Sequence, residues 1–149
     1  MTEHILEFEF GKVTYYLFGR GPTLVFLHGW GQDHRSFEKS IFALRKDYQI
    51  LNLDLPGFGV NNEILRPLDL NDYVFMLKEI IEESNLSDVI IIGHSFGGRI
   101  AIKYASIYHT KALILVSSAG IRRKNLSLTL KILRYKVLKR FYRLFSKSR

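Results

Sequence analysis

Val89-Ile90-Ile91-Ile92-Gly93-His94-Ser95-Phe96-Gly97-Gly98 runs four β-branched aliphatic residues directly into a serine flanked by glycines. A short, continuously apolar run of this kind reads as a strand covered on both faces. From Phe96 to Tyr108 the pattern returns to helical spacing. No loop residues separate the two, so the chain must turn sharply at Ser95 and strain its backbone there. Gly93 and Gly97 lack Cβ atoms, which lets strand and helix approach closely. The Ser95 hydroxyl then stands at the carboxyl edge of a sheet, over a helix N-terminus that favours negative charge. The Phe96 amide is placed to donate to a developing oxyanion. Gly-x-Ser-x-Gly alone is weak; its strand–turn–helix setting gives it weight, against the alternative of a tight turn in a non-catalytic α/β protein.

Outward from this segment, strands alternate with helices. His4 to Phe10 and Val13 to Phe18 are β-rich stretches around Gly11-Lys12 and predict an antiparallel hairpin. Thr23 to Leu27 predicts a buried strand. Ser36 to Lys46 predicts a helix capped by Ser36, with Phe37, Ile41 and Leu44 on its apolar side. Tyr48 to Leu53 predicts a strand, and Asp69 to Glu83 a helix capped by Asp69 or Asn71, with Tyr73, Leu77, Ile80 and Ile81 facing inward. Ala112 to Val116 predicts another buried strand. The order implies an α/β fold: a mostly parallel, doubly wound sheet with right-handed crossovers, begun by the hairpin.

His28-Gly29-Trp30-Gly31 closes the strand at Thr23 to Leu27. Its glycines let the backbone turn toward the serine, so the Trp30 amide is the candidate second oxyanion donor and its indole a pocket wall. His28 is expected to hold the loop through side-chain hydrogen bonds rather than to carry protons. Together with Asp54-Leu55-Pro56-Gly57-Phe58-Gly59 and Leu115-Val116-Ser117-Ser118-Ala119-Gly120, these segments make residues 5 to 121 closely resemble the α/β-hydrolase superfamily. The flavour is similar to small-molecule carboxylesterases and hydrolases of carbon–carbon bonds. The resemblance implies Ser95 as nucleophile on a small ester or related carbonyl substrate, with the Trp30 and Phe96 amides as oxyanion hole. His28, Gly29, Gly31, Gly93, His94 and Gly97 would support them, and Asp54 would be structural.

The chain departs from the family after the serine. The triad order in this fold is serine, acid, histidine, yet no Asp or Glu follows Ser95, and His109 is the sole later histidine. His109 is expected in a surface turn. Asp33-His34, a conceivable substitute pair, is expected to be solvent-exposed. The expected sheet lacks its last strands, and weak or absent turnover is expected of the 149-residue chain.

Charge divides the sequence unevenly. All 14 acidic residues lie at or before Asp88, whereas 14 of the 22 Lys and Arg follow it. Leu126, Leu130, Leu133, Val137, Phe141 and Leu144 recur at helical spacing with Lys131, Arg134, Lys139, Arg140 and Arg143 between them. Residues 1–121 therefore read as hydrolase core and 122–149 as a basic amphipathic helix, the start of a lid over the cleft. Residues 126–145 could instead touch a membrane surface or a missing C-terminal segment. The alternative to an enzyme is a non-catalytic binding protein of the same fold. With no recognised reading module, nucleic acid is not an expected partner. With no cysteine, metal-ligand cluster or phosphate-binding Gly-Lys-Ser/Thr loop, no metal and no cofactor is expected. Met1 to His4 leads into no apolar leader, and a cytoplasmic location is expected.

Overall fold

The computed structural model describes residues 2–118 together with residues 134 and 135. In chain order the elements are β1 (Thr2–Phe8), β2 (Gly11–Gly19), β3 (Thr23–Leu27), α1 (Glu38–Leu44), β4 (Gln49–Leu53), α2 (Leu70–Glu83), β5 (Ile90–His94), α3 (Phe96–Ala105) and β6 (Ala112–Val116). Short 3₁₀ turns lie at His34–Phe37 and Gly59–Asn61. The expected amphipathic segment, Leu126 to Phe145, lies outside the described residues apart from Arg134 and Tyr135. No helix among the described residues is long and apolar enough to cross a membrane.

The strands form one sheet in the order β1-β2-β4-β3-β5-β6. β1, β2 and β4 pair antiparallel, and β4, β3, β5 and β6 pair parallel. Alternate side chains of β3 enter two different cores, which explains the unbroken apolar run Leu24 to Leu27. Leu24 and Phe26 pack with Ile41 of α1, Ile50 and Ile92. Val25 and Leu27 pack on the opposite face with Leu77 and Ile80 of α2 and Ile100 of α3. The chain passes from β3 to β4 on one side and then returns across β3 to β5 on the other. The carboxyl ends of β3 and β5 therefore flank the point where the winding reverses, the usual place for a crevice in such sheets.

Several local expectations shift. The hairpin turn is Glu9-Phe10 rather than Gly11-Lys12, because Phe8 pairs with Gly11. Phe10 is buried and stacks on Phe8 at 5.0 Å, which draws the turn back toward the N-terminus. Ser36 is not a cap. Asp33 accepts the Arg35 amide at 2.9 Å and opens the 3₁₀ turn, and α1 follows with no side-chain cap. Asp69 does cap α2: it accepts the Asn71 and Asp72 amides, while the Asp72 carboxylate takes the Asp69 amide at 2.8 Å. β6 was expected to be buried, yet Ile114 is 49% and Val116 43% exposed. Apolarity along a strand reports what it can pack against, whereas exposure depends on neighbours, and β6 has a strand partner on one side alone among the described residues.

Past Leu53 the pairing of β2 with β4 ends, and a side chain continues it. Asn61 accepts the Thr14 amide at 2.8 Å and donates to the carbonyls of Thr14 at 2.9 Å and Asp54 at 2.6 Å. Asn61 is buried, so Asn61→Ala should leave the Thr14 amide unpaired and cost about 2–3 kcal/mol. Urea denaturation checks this, and a midpoint within error of wild type would refute it.

Candidate active site

Ser95 caps α3 with φ +48° and ψ −105°. Such a conformation is sparsely populated for a non-glycine residue, costs on the order of 1–3 kcal/mol, and persists only where its surroundings over-determine it. Here they do. The Ser95 amide donates to the Val116 carbonyl at 3.0 Å, and the Gly97 amide donates to the His28 carbonyl at 3.0 Å. A Cβ on Gly97 would strike the Leu27 and His28 carbonyls, and one on Gly93 would come within 2.6 Å of Gly98 Cα. The glycines are thus required by contact between β5, α3 and the end of β3. Phe96 is the first residue of α3, and first-turn amides have no partner within their own helix.

His28 leads the loop that faces this turn and is buried. Its Nδ1–H donates to the Gly29 carbonyl at 2.8 Å, and the Leu55 amide donates to its Nε2 at 2.8 Å. This pattern needs a neutral ring with the proton on Nδ1. Burial is the main cause that pushes the His28 pKa below 6.5, outweighing the Gly29 carbonyl and the nearby Asp54 and Asp33. His28 therefore clamps the loop after β3 to the loop after β4.

Gly29 is packed so tightly that an added Cβ would lie 2.8 Å from both Gln32 Oε1 and His94 Nδ1. Gln32 Oε1 accepts the Gly29 amide at 3.0 Å and stands 2.9 Å from His94 Nδ1. Gly31 sits at φ +71°. Trp30 is 69% exposed, and its indole meets Phe58 at 5.0 Å and Phe96 at 5.4 Å, both edge-to-face. Tyr73 braces Phe96 from behind at 5.2 Å and donates its hydroxyl to the Pro56 carbonyl at 3.0 Å. Burial raises the Tyr73 pKa, so it stays a donor. An aromatic wall thus stands beside Ser95 at the carboxyl end of the sheet.

Asp33 and His34 do not form the pair imagined from adjacency. Asp33 holds Arg35, its guanidinium at 2.5 Å, and this bond keeps the Asp33 carboxyl below its usual range. His34 is only 25% exposed at its side chain and bonds the wholly buried Asp54 through Nδ1 at 2.9 Å. Asp54 also accepts the amides of His34 at 2.5 Å and Val60 at 2.8 Å. One ligand-type atom from each of Asp33, His34 and Asp54 falls within 4.8 Å of the others. Arg35, His34 and Val60 already account for both carboxylates. Gln32, Asn61 and the His34–Asp54 pair were not singled out from sequence. Polar residues in the loops that follow β3 and β4 are the available signal, and such residues do not say which distant group each will meet. His109 lies beyond the C-terminus of α3, the opposite end from Ser95, and faces Asp88 at 3.3 Å on the surface.

The chain belongs to the alpha/beta hydrolase fold family, whose profile matches residues 22–147. It is 36% identical over 106 residues to a 1-acylglycerol-3-phosphate O-acyltransferase of Arabidopsis thaliana, covering 66% of this chain and 25% of that protein. It is 33% identical over 104 residues to a pimeloyl-acyl-carrier-protein methyl ester esterase of Pseudoalteromonas atlantica, covering 68% and 39%. An esterase from Exiguobacterium antarcticum superposes with a TM-score of 0.66 at 28% identity, over 73% of this chain and 42% of that one. The chain thus spans less than half the length of the relatives it matches.

The depressed His28 pKa has a sign. Between the folded pKa and 6.5 the unfolded chain binds a proton that the folded ring refuses, so stability falls as pH drops below 6.5. The urea midpoint should therefore decrease from pH 7.5 to pH 5.5, and His28→Asn, already less stable, should lose part of that slope. Equal slopes in the two proteins would exclude His28 as the cause.

Proposed function

We propose that Ser95 is the nucleophile of an acyl-transfer hydrolase acting on a small ester or related carbonyl substrate. The observation that carries this reading is the Ser95 backbone, held at φ +48° between a strand and a helix start. Strain of this kind gathers at functional sites, and here it falls on the residue just before the first turn of α3. In the reaction Oγ adds to the carbonyl carbon, and the carbonyl oxygen takes the negative charge. The Phe96 and Trp30 amides are the donors assigned to that oxygen. Collapse of the adduct breaks the ester C–O bond and releases the alcohol; water then frees the acyl group. Trp30, Phe58 and Phe96 favour an apolar group on the substrate. Esterases among the relatives support the same class of chemistry.

The proton of Oγ needs a base. Among the described residues no histidine hydrogen-bonds the Ser95 hydroxyl: His4 stacks on Tyr15, His28 bonds Gly29 and Leu55, His34 bonds Asp54, His94 bonds Gln32, and His109 faces Asp88. The 149-residue chain should therefore react once more readily than it turns over. A fluorophosphonate probe should label Ser95 slowly, with the label lost in Ser95→Ala. Turnover of p-nitrophenyl esters should stay within the 10³–10⁴-fold over water, roughly, that an oxyanion site retains without its base. Labelling that survives Ser95→Ala would overturn the assignment of the nucleophile.

A further inference from the structure

Two separate segments must meet for the proposed chemistry: the loop that carries Trp30 and the turn that carries Ser95 and Phe96. At their base they are joined by the backbone bond from Gly97 to His28. At their mouth the join is a side chain. The Gln32 amide donates to the Gly29 carbonyl at 3.2 Å and closes a four-residue turn with Trp30 and Gly31 at its centre. Gly31 at φ +71° supplies the positive φ that a type II turn requires at its third residue. The side chain of the same Gln32 then accepts the Gly29 amide at 3.0 Å, so both backbone groups of Gly29 are held by one residue.

The orientation of the Gln32 amide follows from this. The Gly29 N–H can only donate, so the group facing it is the side-chain oxygen. That same oxygen lies 2.9 Å from His94 Nδ1, from a residue 62 positions away. An oxygen that accepts needs a proton from the ring, so His94 carries its proton on Nδ1 and leaves Nε2 bare when neutral. Gly29 must be glycine for this junction to close, since a Cβ there would sit 2.8 Å from both partners.

We infer that Gln32 is a positioning residue: its side-chain carbonyl ties the Gly29–Gln32 turn to His94 and so sets the separation of the Trp30 amide from Ser95 and Phe96. This rests on the hydrolase reading above. It assigns Gln32 no contact with substrate, only the spacing of the two donors, and it makes the His94 tautomer the visible trace of that spacing.

The test uses the full chain and two readouts. Ring ¹⁵N resonances of His94, recorded where the imidazole is neutral, report which nitrogen holds the proton. Fluorophosphonate labelling of Ser95 reports the site, with the thermal midpoint as a check on folding. Wild type and Gln32→Glu, which keeps the acceptor, should show the proton on Nδ1. Gln32→Met, of similar length without that acceptor, should move it to Nε2 and slow labelling by about tenfold, the worth of one net hydrogen bond. A proton on Nε2 in the wild type, or labelling unchanged in Gln32→Met, would overturn the proposal while leaving the hydrolase reading intact. Nδ1 protonation in a wild-type chain that never labels at Ser95 would overturn the hydrolase reading instead, and with it the purpose assigned to the bridge.

Discussion

The Gly97 amide bonds the His28 carbonyl at 3.0 Å, at a point where any Cβ would collide with the ends of β3. Much of the site depends on that approach. It brings the first turn of α3 against the last residues of β3, two elements separated by the whole of α1, β4, α2 and β5. Because β5 enters the turn directly, the strain falls on Ser95 and not on a flexible loop. The glycines at 93 and 97 are the space that makes the junction possible. The strained serine is what the junction leaves at the carboxyl edge of the sheet.

Around this junction several buried polar groups tie loops together. His28 joins the loops after β3 and β4 through Leu55. Asp54 joins His34 to Val60, and Asn61 joins the second of those loops to β2. Such groups are expensive to bury unless paired, and each pairing fixes one geometry out of many that apolar packing would tolerate. The loops above the sheet are thereby held by specific bonds, while the layers beneath are held by bulk apolar contact between β3, β5 and the helices on either face.

Among the described residues no histidine hydrogen-bonds the Ser95 hydroxyl, and the contacts the rings do make differ in what they leave free. A ring bonded at both nitrogens has no lone pair left to take a proton, whereas one bonded through Nδ1–H alone keeps the lone pair on Nε2. His28 is the clearest case: neutral, buried, and bonded at both nitrogens. His94 is adjacent to Ser95 in sequence and its Nδ1 is turned to Gln32, yet no hydrogen bond joins its ring to the Ser95 hydroxyl among the described residues. Proximity along the chain and alignment for proton transfer are different properties.

Sequence alone determined the element order, the two-faced burial of the central strands, the turn at Ser95 and the loop role of His28. Each of these follows from local pattern: continuous apolar runs, helical spacing, and glycines placed where a strand meets a helix without a loop. Tertiary structure decided the rest. It moved the hairpin turn onto Glu9-Phe10, left β6 exposed, paired His34 with Asp54 rather than with Asp33, and set Gln32 between Gly29 and His94. Periodicity records what a residue can bury, because it reads side chains a few positions apart. A hydrogen bond across 20 or 62 residues depends on where two distant loops finally stop, and no local pattern carries that information.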